Sequence, residues 1–357
     1  MGIWRPIAAR AASLVFVLVA VLVLLVLSLG ATGYSDRILT AVVGEEIRGI
    51  RTSLAETITD PDELDQAVAA EQAELEKSYG LDQPWYLRMP GMVARVLVLD
   101  LGEARTVRTT DGSNRIADII LERLPPTMLL ITTSLLLTAA IGIAVGTWLS
   151  TRVGSRADRI ASWLAAISNA LPGWWAGIVL IFVFGFALRW LPTGGMLSTP
   201  PPTEPLARAL DMAWHAILPI LTLVLVSVGP SIYVVRTMTM SVAQDDHVML
   251  ARAKGMSGGA IERRHILRVA APPIVTGLIL GLAGSLGGSI LVETVFGWRG
   301  MGRLYYDAIA GTPDEALIVA LTFMFTLLYV IARLVLEVLY VLLDPRVRTG
   351  GGGRATA

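Results

Sequence analysis

The chain has 357 residues and a formal net charge of zero, with 16% charged and 54% hydrophobic residues besides 34 glycines. A typical soluble domain has about 25% charged residues, so this composition excludes an ordinary soluble fold and predicts an integral membrane protein. The chain has no cysteine, which excludes disulfides and cysteine metal sites, and neither Lys77 nor Lys254 lies in a Gly-Lys-Ser/Thr sequence, which excludes a P-loop.

Six apolar stretches are long enough to cross a bilayer as helices, because a spanning helix needs about 20 residues that are mainly apolar. The first could also be a secretory signal, but its apolar run is too long for a signal core and no clear cleavage site follows, so we expect an anchor. Pro172 interrupts the third stretch, and the fourth contains Pro219 and Pro230. The sequence therefore predicts an all-α integral membrane fold with six transmembrane helices, at residues 11–30, 127–149, 160–188, 217–235, 272–292 and 316–343.

Basic residues predict the orientation of these spans, because arginine and lysine concentrate in cytoplasmic loops. With the N-terminus in the cytoplasm, the segments on that side carry far more basic than acidic residues. We therefore predict a multi-pass protein of the cell membrane, inner or plasma, embedded in the lipid bilayer with both termini in the cytoplasm. Its expected parts are the cytoplasmic N-terminus with helix 1 (1–30), an extracytoplasmic lobe (31–124), a membrane core with helices 2–6 (125–345) and a cytoplasmic tail (346–357).

The predicted lobe at 31–124 is acidic overall and contains one clearly signalled helix. Asp60 is a typical N-cap residue, Pro61 suits the first helical position, and Glu63 completes a capping-box pattern. An apolar face follows, and Gly80 predicts the end of this helix. Such a lobe could contact an extracytoplasmic partner, or it could be a lid that covers only the spans of its own chain.

The predicted cytoplasmic segment 236–271 is charged and helix-prone, but small residues interrupt it. Asp245 or Asp246 can cap a first short helix, which Gly255 ends, and a second helix leads into the fifth span. The pattern predicts two short helices joined by a bend of small residues, where the backbone of another protein can approach closely. A basic loop beside anionic lipid headgroups is the alternative.

The fifth predicted span carries glycines at 277, 281, 284 and 288, which form two pairs, 277/281 and 284/288, whose members lie four positions apart. This spacing favours close contact between helices in a membrane. An interface with another membrane subunit, a sliding surface between helices and tight packing within this chain all remain open.

Four segments carry a resemblance to a known family, and they occur in the expected order along the chain. They are "GLDQPW" at 80–85, "ARAKGMS" at 251–257, "VETVFGWRGMGRLYYDAI" at 292–309 and "LDPRVR" at 343–348. Together they resemble the permease subunits of ABC importers, in particular those for dipeptides, oligopeptides and nickel complexes. The second segment resembles that family's cytoplasmic coupling loop, the EAA motif, here at 240–268, although only Ala251 and Gly255 keep the usual residues. Arg299 is a further departure, since the family usually has proline there.

The resemblance implies the transmembrane half of an ATP-driven importer, with the ABC-importer permease fold and an extracytoplasmic lobe between helices 1 and 2. Its implied partners are a second permease subunit that forms a heterodimer with this chain, two ATP-binding cassette subunits and an extracytoplasmic solute-binding protein; we expect no nucleic acid. The resemblance implies that the chain itself is no enzyme, because its partners hydrolyse ATP. It also implies that the chain holds no cofactor or metal. The segment implied to couple to these ATPases consists of Ala251, Arg252, Ala253, Lys254, Gly255, Met256 and Ser257.

A second set of residues is implied to line or gate the translocation path: Glu293, Phe296, Trp298, Gly300 and Gly302. An aromatic belt at the membrane interface would also explain Trp298, together with Tyr305 and Tyr306. Arg333 and Glu337 lie four residues apart in the sixth span and therefore share one helix face. We interpret them as a self-neutralising intramembrane charge pair, with a charged lining of the path as the alternative.

Di- or oligopeptides are the solutes that the resemblance favours, while nickel chelates, haem and oligosaccharides remain open because related permeases carry them. A secondary transporter driven by an ion gradient is the alternative from another class. Such a transporter would be expected to show an internal repeat and paired broken helices, and the sequence has no clear repeat of two halves.

Overall fold

The computed structural model describes residues 4–310 and 313–343, apart from the side chains at 4–7, 9, 278–280, 282–288 and 336–343. Within these ranges the chain is helical, and one isolated bridge between Glu103 and Arg115 is the β-type pairing that occurs there. The all-α prediction is therefore confirmed for the described part. The helices are α1 (Trp4–Ala31), α2 (Tyr34–Leu54), α3 (Pro61–Ser78), α4 (Trp85–Leu97), α5 (Ile116–Ser150), α6 (Arg156–Ala170), α7 (Gly173–Leu180), α8 (Pro205–Ala243), α9 (Asp246–Ala253), α10 (Gly258–Ile261), α11 (Arg268–Phe296), α12 (Met301–Ala310) and α13 (Glu315–Leu343), with π-helical segments at Ile181–Ala187 and Glu262–Leu267.

Helices cover all six stretches that the sequence marks as spans. Four helices contain a segment long and apolar enough to cross a bilayer, and α6 with α7 forms a fifth if this bent pair is one span. α11 runs without interruption over the predicted fifth stretch, but many of its side chains lie outside the described part. Four or five candidate spans fit a multi-pass membrane protein, and the count of six stays a prediction. The four single segments are Arg10–Ala31, Ile116–Ser150, Pro205–Ala243 and Glu315–Val335.

The predicted break in the third stretch is confirmed at Pro172, where α6 and α7 meet at an angle of 102°. Leu171 is extended there, with φ −79° and ψ 122°, because the ring of the following proline disfavours the helical conformation. Pro219 and Pro230, by contrast, lie inside the continuous α8. A proline removes one backbone donor from a helix, and neighbouring helices in a membrane protein can hold the helix together around it.

The described chain forms two compact units. We call residues 4–12, 122–306 and 328–343 the core unit and residues 13–121 with the described residues of 307–327 the lobe unit. Within the core unit, α6, α7 and α11 all pack against α8, which is therefore its central helix. The buried apolar cluster around α8, which we call the α8 cluster, consists of Leu130, Ala216, Leu218, Leu223, Val292, Phe296 and Trp298.

Two glycines on α5 allow α8 to approach closely. A Cβ added at Gly146 would lie 2.9 Å from the carbonyl oxygen of Ile232, and Gly142 precedes it by one small-xxx-small interval. At Gly277 and Gly281 of the fifth predicted span, an added Cβ meets no described heavy atom within 4 Å. Close glycine contacts between helices therefore occur on the second predicted span, whereas Gly277 and Gly281 of the fifth make none with the described residues.

The predicted N-cap of α3 is confirmed, since the Asp60 side chain accepts a hydrogen bond from the backbone N–H of Asp62 at 2.9 Å. We expect Asp60→Ala to cost about 1 kcal/mol locally, because it removes this bond from the first helical turn. Hydrogen exchange of the first-turn amides of α3 should then become about fivefold faster. Glu71→Ala, at an exposed site in the same helix, should leave that rate unchanged, and an unchanged rate in the Asp60 variant would contradict the capping role.

Candidate functional site

The helix–bend–helix predicted at 240–268 forms with its own small hydrophobic core. α9 ends before Gly255, whose φ of 74° lies in the left-handed region that favours glycine at a helix end. α10 and the π-helical segment Glu262–Leu267 then lead into α11. The cluster that holds the bend together, which we call the loop cluster, consists of Ala243, Val248, Ala251, Ile261 and Ile266, with Val242 and Met256 packed against it.

The seven residues predicted to couple to an ATPase lie on both sides of this bend. Ala251 is buried in the loop cluster and Met256 is half-buried against it. Met249 and Leu250 directly precede the predicted segment and are 55% and 56% exposed. They form an apolar surface next to the predicted segment, and a partner protein could cover it. The remaining five predicted residues, all exposed, are Arg252, Ala253, Lys254, Gly255 and Ser257.

Val242 connects the loop cluster to the long helices. It packs against the loop cluster and also against a second buried cluster, formed by Val235 of α8 with Ala270 and Ile274 of α11. Because close-packed interiors transmit strain, a displacement of the bend would be passed to both helices.

The second predicted site surrounds the turn between α11 and α12, and a fully buried carboxylate lies at its centre. Glu293 is 0% exposed and accepts hydrogen bonds from Thr127 Oγ1 at 2.9 Å and from the backbone N–H of Arg303 at 3.1 Å. Ser289 and the backbone N–H of Gly302 are two further donors to it. Buried polar groups need such partners, so this network fixes the turn to the beginning of α5.

Two more hydrogen bonds hold the same turn. Thr127 Oγ1 accepts from the backbone N–H of Met301 at 2.7 Å, and Trp298 Nε1 donates to the carbonyl oxygen of Pro126 at 3.2 Å. A Cβ at Gly300 would lie 2.8 Å from the carboxylate carbon of the buried glutamate. The turn therefore has no room for a side chain at this position.

The structure thus gathers the five predicted path residues around one turn, inside the core unit. Glu293, Phe296 and Trp298 are each at most 1% exposed, and a Cβ at Gly302 would lie 2.8 Å from the Cα of Ile290. The aromatic-belt interpretation of Trp298 is wrong, because its ring belongs to the buried α8 cluster. A role of these residues in a path or gate stays a prediction.

A buried ion pair that the sequence analysis did not single out joins α6 to α8. Arg236 donates from Nη2 to Asp158 Oδ2 at 2.8 Å and from Nε to Oδ1, and the two side chains are 14% and 7% exposed. The backbone N–H of Gly154 donates to the same carboxylate at 2.9 Å. In the sequence both residues count only as loop charges, and the 78 positions between them leave no local pattern that could show the pairing.

The charge pair predicted in the sixth span is not tested. Arg333 is half-buried on α13, while the side chain of Glu337 lies outside the described part of the chain. In the ranges that the structure describes, no three histidine, cysteine, aspartate or glutamate side chains are grouped so that they could hold a metal ion.

Comparison with known proteins shows that most of this chain is similar to the inner-membrane components of transport systems. A family model described as "Binding-protein-dependent transport system inner membrane component" matches residues 140–349, which include the helix–bend–helix and the turn beside Glu293. The oligopeptide transport system permease protein AppB of Bacillus subtilis (strain 168) is 31% identical over 278 residues, covering 78% of this chain and 85% of that protein. The glutathione transport system permease protein GsiC of Escherichia coli (strain K12) is 33% identical over 269 residues, covering 75% and 81%. The GsiC protein of Salmonella typhi is 31% identical over 294 residues, covering 82% and 88%.

Proposed function

The chain belongs to the family of binding-protein-dependent transport system inner membrane components, and from this premise we propose that it is the permease subunit of an ATP-driven importer of di- or oligopeptides. The observation that carries the proposal is the extent of the similarity. Permeases named for oligopeptides and for glutathione each match at least three quarters of this chain. Glutathione is a modified tripeptide, so both names favour short peptides over nickel chelates, haem or oligosaccharides.

The proposed arrangement has six transmembrane helices, both termini in the cytoplasm, and residues 31–124 as an extracytoplasmic lobe. Helices over all six apolar stretches and the excess of basic residues in the proposed cytoplasmic segments support it. In this orientation the helix–bend–helix lies in the cytoplasm, where ATP-hydrolysing partners are found.

The segment 251–257 is proposed to dock on an ATP-binding cassette subunit, with Met249 and Leu250 as its apolar contacts. The exposure of these two side chains supports the proposal, and so does the buried opposite side of α9. Because the loop cluster is a packed core, a force on the exposed face moves the bend as a body. Val242 would carry this displacement to α8 and α11, which could then switch between two packed arrangements.

Glu293 is proposed to act as a positioning residue for the turn that bears the other predicted path residues. Its four donors come from α5, α11 and the beginning of α12, so a movement of α11 would carry the turn with it. In this proposal Phe296, Trp298, Gly300 and Gly302 gate the path together, as parts of one rigid turn.

A complete importer needs partners that this chain is proposed to contact. They are a second permease of different sequence, two ATP-binding cassette subunits and an extracytoplasmic solute-binding protein, within a lipid bilayer. ATP hydrolysis is assigned to the cassette subunits, because neither lysine of this chain lies in a P-loop sequence.

Uptake into proteoliposomes tests the proposed function. We expect the complete assembly, supplied with its binding protein, to accumulate radiolabelled trileucine when ATP is present on the side of the cassette subunits. A non-hydrolysable ATP analogue is the control and should abolish the uptake. Uptake that needs an ion gradient and no ATP would contradict the proposal and favour a secondary transporter. ATP-driven uptake of a nickel chelate, haem or an oligosaccharide without any peptide would overturn the proposed solute.

A further inference from the structure

A cavity of about 680 Å³ lies within the lobe unit, and no step of the proposed transport cycle uses it. The end of α1, the helix α4, the segment after α4 and the beginning of α13 form its walls. Its volume is in the range of about 300–1,000 Å³ that is typical of pockets for small molecules. Much of the wall is apolar, with Val26, Trp85, Met89, Met92 and Val319 among the lining side chains. The cavity therefore suits a ligand with at least one apolar group.

One wall of the cavity carries a guanidinium that is only partly paired. The Arg88 side chain is 15% exposed, and one of its terminal nitrogens, Nη2, pairs with Asp36. The other, Nη1, is buried and has no hydrogen-bond partner among the residues that the structure describes. A buried donor of this kind is costly unless an acceptor reaches it, and carboxylates and phosphates are the acceptors that a guanidinium binds strongly.

A second guanidinium is held at the same cavity. Arg105 lies over the ring of Tyr79, with its Cζ 4.7 Å from the ring centroid. The Tyr79 hydroxyl donates to Glu46 at 2.7 Å, and burial together with this bond raises the pKa of Tyr79, so the ring stays neutral at pH 7. This arrangement fixes a positive charge at the cavity by a cation–π contact.

A buried acid lines the cavity as well. Glu315, at the beginning of α13, is 6% exposed, and Ser35 Oγ donates to its Oε2 at 2.9 Å. Arg88 and Arg105 both interact electrostatically with this carboxyl group. The cavity therefore presents fixed groups of both signs beside an apolar wall, and a zwitterion with an apolar side chain complements all three features.

We propose that this cavity binds a short peptide with free termini and an apolar side chain, its carboxylate on Arg88 and Arg105 and its amino group on Glu315. The inference rests on the proposed function, because a peptide permease is the chain on which such a site would have a use. The site would be a binding place for peptide on the permease itself, in addition to the solute-binding protein. A phospholipid headgroup with charges of both signs is the competing occupant, and the experiment below separates it from a peptide.

The wild-type assembly provides a first measurement that needs no variant. Equilibrium binding of radiolabelled trileucine is measured on the complete assembly, without nucleotide and without the binding protein. We expect trileucine amide and N-acetyl-trileucine each to bind at least about tenfold more weakly, since each lacks one of the two charges. Equal affinity for all three probes would overturn the proposal.

A cavity-filling substitution provides the second measurement. Gly91 of α4 lines the cavity, and a Cβ added there meets no described heavy atom within 4 Å, so the backbone can accept a side chain and Gly91→Trp places a large ring at the cavity. Gly49 of α2 is also helical, exposed and open around its Cβ, but it does not line the cavity, so Gly49→Trp is the matched control. We expect the Gly91 variant to bind trileucine at least about tenfold more weakly and the Gly49 variant to bind it like wild type.

The possible failures can be told apart. Unchanged trileucine binding in Gly91→Trp would overturn the cavity proposal, while ATP-driven uptake by wild type would leave the proposed function intact. A phospholipid found by native mass spectrometry on wild type and lost from Gly91→Trp would replace the peptide as occupant and also overturn the proposal. Absence of peptide uptake by wild type would refute the proposed function, whereas trileucine binding that Gly91→Trp removes would still support the cavity site.

Discussion

Leu250→Asp is expected to abolish ATP-driven peptide uptake while the chain still inserts and assembles with its second permease. Leu250 is 56% exposed on α9 beside the predicted coupling segment, and its neighbour Met249 is 55% exposed. If an ATPase covers this surface, an aspartate there would bury an unpaired charge in the interface, which costs several kcal/mol. We expect uptake in proteoliposomes to fall by at least about a hundredfold and co-purification of the cassette subunits to decrease with it.

Leu250→Met is the matched control, because it changes the shape of the side chain and keeps it apolar. It should retain most of the uptake. Full uptake in the aspartate variant would remove α9 from the proposed interface. Lost uptake together with a chain that no longer reaches the membrane would instead show that the substitution disrupts folding.

Glu293→Leu is expected to destabilise the core unit by about 2–4 kcal/mol, because it leaves up to four buried donors without their acceptor. The two side chains are similar in size, so the loss of hydrogen bonds dominates. We expect the melting temperature of the detergent-solubilised assembly to fall by several degrees, and uptake to fall with it.

The same substitution at Glu204, an exposed residue of the core unit, is the control and should change neither quantity. A positioning role predicts that stability and uptake decrease together. If Glu293→Leu abolished uptake while the melting temperature stayed at the wild-type value, the carboxylate would belong to the path itself, and the proposed positioning role would be refuted.

Much of the architecture could be predicted from local sequence. Apolar length marks each helix that could cross a bilayer, because a buried backbone in lipid must make its hydrogen bonds within the helix. Local chemistry also places single features correctly, since Asp60 caps α3 through a neighbour two residues away and Pro172 ends a helix through its own ring. These effects act over a few residues, and a sequence pattern can therefore reveal them.

The candidate sites were only partly predictable, because the sequence does not show which face of a helix is buried or which distant residues a side chain contacts. The motif at 251–257 marks the bend, but the exposure of Leu250 depends on which face of α9 the loop cluster buries. The glutamate at 293 has the residue type of a path or gate residue, yet its donors include Thr127, which is 166 positions away. Asp158 and Arg236 are likewise unremarkable loop charges until α6 packs on α8.

The sequence by itself determined the class of this protein, an all-α membrane permease. Its apolar helices, helix caps and family motifs can be recognised within single stretches of the chain. Tertiary structure alone decided which side chains are buried, which charges pair and where a cavity forms. The physical reason is that burial and hydrogen bonding at such sites depend on helices far apart in the sequence. Glu293, Arg236 and the cavity beside Arg88 acquire their surroundings only when those helices pack.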